Sequence, residues 1–504
     1  MTPTLLGLVF FALGLIILLS GSRQDMLAYV LGCSLFNGSA SLVLTALGNT
    51  SVQPAVVATG LLALRCVLPD RRGTGLFAAS LSANGWLLLF VGWCFAGAYS
   101  LPFLFSGELQ VVPLRPTGSP TGLETHPLHF SPQNVTTSFY LLATLAAAVC
   151  AHVAASEAGA TVRVARLASG VTLAHAAIGW FAMAVRDTPL VMVTGFLRNG
   201  IYMQLDQSFG GFARITGISP ETSLYVSFGF AWFVFVAELW LRNVDRRWSG
   251  PASLAMLVTL VASTSSTAYV GLAGYGLLVI VRLVYFAGAV PARKALVLAG
   301  VALVFLAGGL ALVAQSESFA AWLGRTLRLT TTDKLDSASG LARMFWARQG
   351  VEAFLASWGL GIGVGSFRSS SLFTAILGSG GAIAMLAFLL HLGRIFHPFE
   401  RATWRASGEP MTDVAKAASW AALVMLVPAA VSAPSPDPGL LWGLIAGTAL
   451  GLRRAAALVR QARAPQAGRG AIGSVSALSR RAPQGRRGYQ GSAEAPTLIL
   501  GDAG

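Results

Sequence analysis

Charge is scarce in this chain: Asp, Glu, Lys and Arg make up 11% of its 504 residues, against 55% hydrophobic residues. A soluble globular fold cannot bury that much apolar side chain, so the solvent for most of the protein is lipid. Lysine is scarcer still, with Lys294, Lys334 and Lys416 alone among 35 basic residues and arginine supplying the rest. Cysteine is confined to Cys33, Cys66, Cys94 and Cys150, all in apolar segments and without C-x-x-C spacing. That pattern excludes a disulfide framework and a thiolate metal site, and leaves the thiols as small packing groups. Walker, Rossmann and zinc signatures are absent, as is any repeat of roughly 20 to 50 residues. No acidic cluster calls for a divalent ion, so neither metal nor cofactor is expected.

What the sequence does contain is a succession of apolar runs, most of them close to the roughly 17 to 25 residues needed to cross about 30 Å of hydrocarbon. They fall at 4–20, 26–47, 54–68, 76–100, 134–154, 167–185, 223–241, 251–267, 269–289, 295–314, 372–396, 418–432 and 439–456. The expected fold is therefore an all-α polytopic integral membrane protein with about 12–14 transmembrane helices. The first run lacks a basic leader and an A-x-A cleavage site, and reads as a retained span.

The formal net charge of +15 sits mainly at span ends and in the tail. Membrane orientation accounts for it, and nucleic-acid binding is not expected. The connections bearing Arg71/Arg72, Arg163/Arg166, Arg242/Arg246/Arg247, Arg293/Lys294, Arg394/Arg401/Arg405/Lys416 and Arg453/Arg454 all fall on one side of this span list, predicted to be cytoplasmic. The side of the N-terminus stays open. Segments 101–133, 186–222 and 315–371 then face the opposite side. The last holds Arg325, Arg328, Lys334, Arg343, Arg348 and Arg368, against the usual charge bias of a juxtamembrane loop. Arg65, Glu238 and Arg282 border spans and are expected to snorkel. Residues 1–456 form the membrane domain. Residues 457–504, rich in Arg, Gly, Ala, Gln and Ser, are expected to be a disordered basic cytoplasmic tail in contact with anionic headgroups.

The stretch from Ser339 is the most informative. Leu341, Phe345, Val351, Phe354 and Leu355 fit an amphipathic interfacial helix, with Trp346 and Trp358 at headgroup depth. Gly361, Gly363 and Gly365 then alternate, followed by Ser366, Arg368 and three serines ahead of an apolar span. Such a turn has two readings. Its uncovered N–H groups receive an anion beside Arg368, or it is a tight re-entrant turn with serines capping the next helix. A second constellation, Arg214 to Ser223, puts Arg214 and Glu221 directly before a span. They flank a substrate, or they form a cap and an interfacial anchor.

Over about residues 190–400 these features, in this order, resemble the O-antigen polymerase and ligase (Wzy/WaaL-like) superfamily. The resemblance rests on Arg-x-x-Gly…Pro-Glu-x-Ser at 214–223, the STSST run at 263–267, and Arg343 and Trp346 followed by Gly-x-Gly-x-Gly at 361–365. Many members carry a His after the glycine turn, but Ser366 to Gly380 holds none, and Gly-Ser-x-Arg-x-Ser-Ser at 365–371 looks more like exopolysaccharide polymerases of the xanthan-producing kind. The resemblance implies a metal-independent glycosyltransferase of the bacterial inner membrane with its site facing the periplasm. Its substrates would be undecaprenyl-diphosphate-linked oligosaccharides, as donor and acceptor. A ligase acting on lipid A core is the alternative within the class, and a lipid-glycan flippase or secondary transporter the alternative outside it. Arg214 and Arg343, with Arg348 and Arg368, would hold the diphosphate. Glu221 is the leading general base, because a carboxylate at a low-dielectric boundary can have its pKa raised into a useful range. Asp336 and Glu352 stand behind it. A chain-length regulator and export machinery are the protein partners implied.

Overall fold

The computed structural model describes residues 1–47, 49–68, 73–115, 123–200, 208–209, 212–286, 289–316, 338–397 and 400–478, with 321 and 324. The chain is mostly helical. Among the described residues, seven helices are long and apolar enough to cross a membrane. They are α5 (Gly85–Leu104), α6 (Pro132–Ala155), α7 (Ala160–Ala184), α9 (Thr222–Leu241), α11 (Ser266–Tyr285), α14 (Leu372–Ile395) and the run Pro410–Ala429, formed by α16 (Pro410–Val424) and α17 (Leu426–Ala429). Shorter apolar helices are α1 (Leu5–Ser20), α3 (Pro54–Val67) and α10 (Ser249–Ala262). The remaining helices are α2 (Arg23–Ser34), α4 (Gly73–Ala83), α8 (Val191–Leu197), α12 (Ala292–Gln315), α13 (Ala338–Ala356), α15 (Arg401–Trp404) and α18 (Leu440–Leu478).

Several expected boundaries shift. The run 26–47 is helical only to Ser34, after which Leu42–Leu44 (β2) pairs antiparallel with Thr2–Pro3 (β1) and Thr50–Val52 (β3). Asn37 and Gly38, with a run of serines, end the helical pattern there. The run 76–100 is two helices meeting at Asn84. In the second unit, Ala457–Gly504, helix α18 continues as far as Leu478. Residues 479–504 lie outside the described residues.

In the first unit, Met1–Ala456, α9 is the most enclosed helix, its aromatic face buried by α7, α10, α11 and α16. Helix α1 instead turns Leu5, Ile16 and Leu19 outward, each more than 60% exposed, as a lipid-facing helix does. Close packing is made by glycine. A Cβ on Gly443, Gly447 or Gly451 of α18 would come within 2.4 Å of the carbonyl oxygens of Thr144, Ala148 and His152 respectively, so α18 lies backbone to backbone on α6 at four-residue spacing.

Glu238, Arg242, Arg282 and Asp413 are all buried, at one end of the bundle. Arg282 Nη1 donates to both Glu238 oxygens at 2.8 and 3.0 Å, and Arg242 Nη2 lies 3.0 Å from Glu238 Oε2. The Tyr275 hydroxyl adds a 2.9 Å bond to Glu238, and Arg282 Nε reaches the Trp404 carbonyl at 2.7 Å. Glu238 and Arg282 therefore do not snorkel. They neutralise one another inside the protein and fasten the loop carrying α15 to the bundle.

Candidate functional site

At the opposite end, three connecting segments gather. Segments 101–133 and 338–371 share a small apolar core of Leu101, Phe105, Val111, Leu128, Ala353, Ile362 and Phe367. Hydrogen bonds sew them together: Arg368 N to Val112 O at 2.9 Å, and Val112 N to Gln349 Oε1 at 3.2 Å.

The glycine turn is driven into a break in α14. At Gly381 (φ 67°, ψ −159°) that helix leaves helical geometry, and Gly359, Gly361, Gly363 and Gly365 all have φ between 83° and 91°. The freed backbone groups pair with one another. Ile362 N donates to Gly378 O and Gly363 N to Ser379 O, while Ala382 N donates to Gly359 O, all at 2.9 Å. Gly361 N donates to Ser357 Oγ at 2.8 Å, Asn134 Nδ2 holds Val364 O and Ser366 Oγ at 2.8 and 2.9 Å, and Trp93 Nε1 donates to Gly380 O at 2.7 Å. The N–H groups of Gly361 and Gly363 are thus spent inside the protein. With Ser366 buried and donating to Ile362 O, the turn packs as a wedge into the break of α14.

Helix α13 presents small or polar residues to the bundle, Ala342, Gln349, Gly350 and Ala353, and turns Leu341, Phe345, Val351 and Leu355 outward. Gly350 and Gly378 let α13 and α14 touch through backbone. Arg348 lies on the outward face, paired with Glu352 at 2.7 Å. Arg368 stacks over Trp346 at 4.5 Å, its buried Nε without a partner. Neither Arg348 nor Arg368 is drawn to Arg214. Asp336 lies outside the described residues, as do Arg325, Arg328 and Lys334.

Arg214 is half-buried where the two-residue strand Phe212–Ala213 runs into the loop before α9. Its Nη2 donates to the carbonyl of Thr264 at 3.4 Å, and its Nε is buried with no partner. Thr264 stands in the left-handed region (φ 50°) at the turn between α10 and α11, so the STSST run presents a carbonyl where a helix would have consumed it. Burial pushes the Arg214 guanidinium below its ordinary value. Glu221 and Tyr269 oppose that shift and the Arg343 charge adds to it, which places all four groups within electrostatic reach of one another. Glu221 occupies the N-cap position of α9 but does not cap it; its carboxylate accepts from the Ser223 hydroxyl instead. Ser370 Oγ donates to the carbonyl of Arg343, tying that residue to the start of α14. No hydrogen bond or ion pair engages the Arg343 side chain among the described residues.

Sequence reading missed Tyr269, Arg198 and Asp437 at this end of the molecule. Arg198 donates to Ser219 O at 3.2 Å from a partly buried position. Burial lowers the Arg198 pKa and leaves its Nε without a partner. Asp437 accepts from Thr144 Oγ1 at 2.8 Å and Gly439 N at 3.0 Å, and burial raises its carboxyl pKa. Only three-dimensional proximity distinguishes them from other loop residues.

Of the three buried histidines, His175 bonds the Tyr225 carbonyl through Nε2 at 3.0 Å, whereas His152 and His391 leave both ring nitrogens unpaired and are not the satisfied packing residues that stray helical histidines usually are. The described residues contain no group of three or more His, Cys, Asp or Glu able to hold a metal. No protein-family model, curated protein or solved structure matches the chain.

Proposed function

We propose that this protein is a polysaccharide polymerase of the exopolysaccharide or O-antigen kind. It moves a polyprenyl-diphosphate-linked glycan onto a second lipid-linked repeat unit at the periplasmic face of the bacterial inner membrane. The observation that carries this reading is the convergence, from loops far apart in sequence, of Arg214, Arg343 and Glu221 at the end of the bundle away from the basic connections. Two guanidinium groups at a lipid boundary, one with an unpaired Nε, suit a diphosphate whose charge rises as it leaves. In this topology, with about 12–14 spans, segment 315–371 is the large periplasmic loop, and α13 lies at the interface with its apolar side chains in lipid.

In the reaction, an acceptor hydroxyl forms a bond to the anomeric carbon of the donor sugar as the bond from that carbon to the diphosphate oxygen breaks. The bonding pair stays on the diphosphate, where Arg214 and Arg343 neutralise it, and the hydroxyl proton passes to the Glu221 carboxylate. Most of the acceleration comes from fixed positive charge and from holding two lipid-borne reactants together. Broken membrane helices are also a transporter feature, but here the break in α14 is filled by the protein's own turn and offers no open backbone to a passing solute.

The test is reconstitution of the purified protein with polyprenyl-diphosphate oligosaccharide, followed by gel analysis of glycan length. Growth by whole repeat units that Arg214→Ala and Arg343→Ala abolish, with melting temperature unchanged, is the expected result. Translocation of the lipid-linked glycan without lengthening would overturn it.

A further inference from the structure

Away from the arginine cluster, a groove of about 500 Å³ runs between α2 and α7, within the ~300–1,000 Å³ typical of small-molecule sites. Small residues line it: Ala28 and Gly32 one turn apart on α2, and Gly170 and Ala174 one turn apart on α7. A Cβ on Gly32 or Gly170 would meet nothing within 4 Å. A glycine inside a helix costs roughly 0.8–1.0 kcal/mol relative to alanine. Gly443, Gly447 and Gly451 recover that cost through close backbone contact, whereas Gly32 and Gly170 pack against nothing and serve only to keep the trough open.

The basic end of the trough is lined by Arg163 and Arg166. Arg163 forms an ion pair with Asp25, while Arg166 is exposed and, among the described residues, makes no ion pair. The mouth therefore carries an uncompensated positive charge above an otherwise apolar channel. From Arg163 to Ala174 the helix rises about 16 Å at ~1.5 Å per residue, close to one leaflet of a hydrocarbon core about 30 Å thick.

We propose that the α2–α7 groove binds one anionic phospholipid, an acyl chain lying over Gly32 and Gly170 and the phosphate held between Arg163 and Arg166. An apolar channel one leaflet long with net positive charge at its headgroup end matches that molecule in both shape and charge. The proposal does not depend on the polymerase reading.

The full-length protein, delipidated in neutral detergent, is mixed with phosphatidylglycerol or with phosphatidylethanolamine of the same acyl chains, and followed by native mass spectrometry and thermal unfolding. Phosphatidylglycerol is expected to stay bound at one per chain and to raise the melting temperature by several degrees, and phosphatidylethanolamine to do neither. Arg166→Gln, which spares the Arg163–Asp25 pair, is expected to lose the headgroup preference. Gly170→Phe plugs the trough and is expected to lose the bound lipid while melting in detergent no lower than wild type. If Gly170→Phe fails to fold, Arg166→Gln alone decides. Equal binding of the two lipids by wild type, or a phosphatidylglycerol adduct that survives the substitutions, overturns the proposal.

Discussion

At the scale of single residues, the arginines divide by how their donors are used. Arg282 and Arg242 are charge-paired with Glu238 and also bond backbone carbonyls, Arg348 is paired at the surface, and Arg214 bonds one carbonyl, keeps its Nε unpaired and has no carboxylate bonded to it among the described residues. A guanidinium with no carboxylate bonded to it still has charge to offer an anionic ligand. Lysine offers a point charge without the planar fork, so on the proposed polymerase reading Arg214→Lys is expected to retain the fold and still lose about 100-fold in glycan lengthening, as for removal of a preorganised donor; gel-based kinetics on the reconstituted protein measure it. Removing one partner of a buried pair leaves an uncompensated charge. Glu238→Ala is accordingly expected to destabilise the protein by about 3–5 kcal/mol, read from thermal unfolding in detergent. Arg214, Glu221 and Arg343 were legible in the sequence because each stood beside an unusual neighbour: a Pro-Glu pair before a span, or a basic loop on the unfavoured side. Tyr269 and Asp437 were not, since one lies in an ordinary apolar helix and the other in an ordinary Pro-rich turn. Nor did sequence reveal that Glu238 and Arg282, 44 positions apart, would meet and cancel.

At the scale of elements, the alternating glycines identified a special turn without saying what it was for. Its purpose depends on Gly378, Gly380 and Gly381 in the following helix, which read as ordinary small residues in a transmembrane run. A Cβ on Gly361, at φ 85°, would stand 2.5 Å from the backbone of Ser379. Gly361→Ala is expected to lower stability by at least about 1–3 kcal/mol through backbone strain and clash together. Gly393 lies in the same helix with no atom within 4 Å of its Cβ position, and Gly393→Ala is expected to be neutral or slightly stabilising. Melting temperatures of the two variants measured side by side make the comparison. Element boundaries were the weaker part of the sequence reading. Hydropathy alone cannot see that Asn84 divides one apolar run, or that residues after Ser34 pair as strands.

At the scale of the whole molecule, the bundle has a basic end and an end that carries the candidate site. Arg163, Arg242 and Arg453 belong to the first, tied respectively to Asp25, to the Arg405 carbonyl and to the Arg394 carbonyl. Positive-inside bias then orients the chain. All four native cysteines are buried, so single cysteines placed at exposed positions report topology over a low background. Glu124→Cys and Asp187→Cys are expected to react with a membrane-impermeant maleimide in spheroplasts, and Arg247→Cys only after permeabilisation. Labelling of all three from the same side would refute the topology.

The wedge of residues 357–366 in the broken helix also has a consequence for biosynthesis. The turn leaves the ribosome before its receptor, because Gly378 to Gly381 follow it in the chain, whereas α5 and the start of α6, which pack against it, come long before. Helix α14 enters the membrane with its middle carbonyls still lacking the partners they have in the finished protein. Its bent form depends on the turn, because Ile362 N and Gly363 N are the partners of the Gly378 and Ser379 carbonyls. The region around Arg343 and Arg368 is held in place with the wedge, since Ser370 Oγ, in the same turn-bearing segment, donates to the Arg343 carbonyl and Arg368 N to that of Val112.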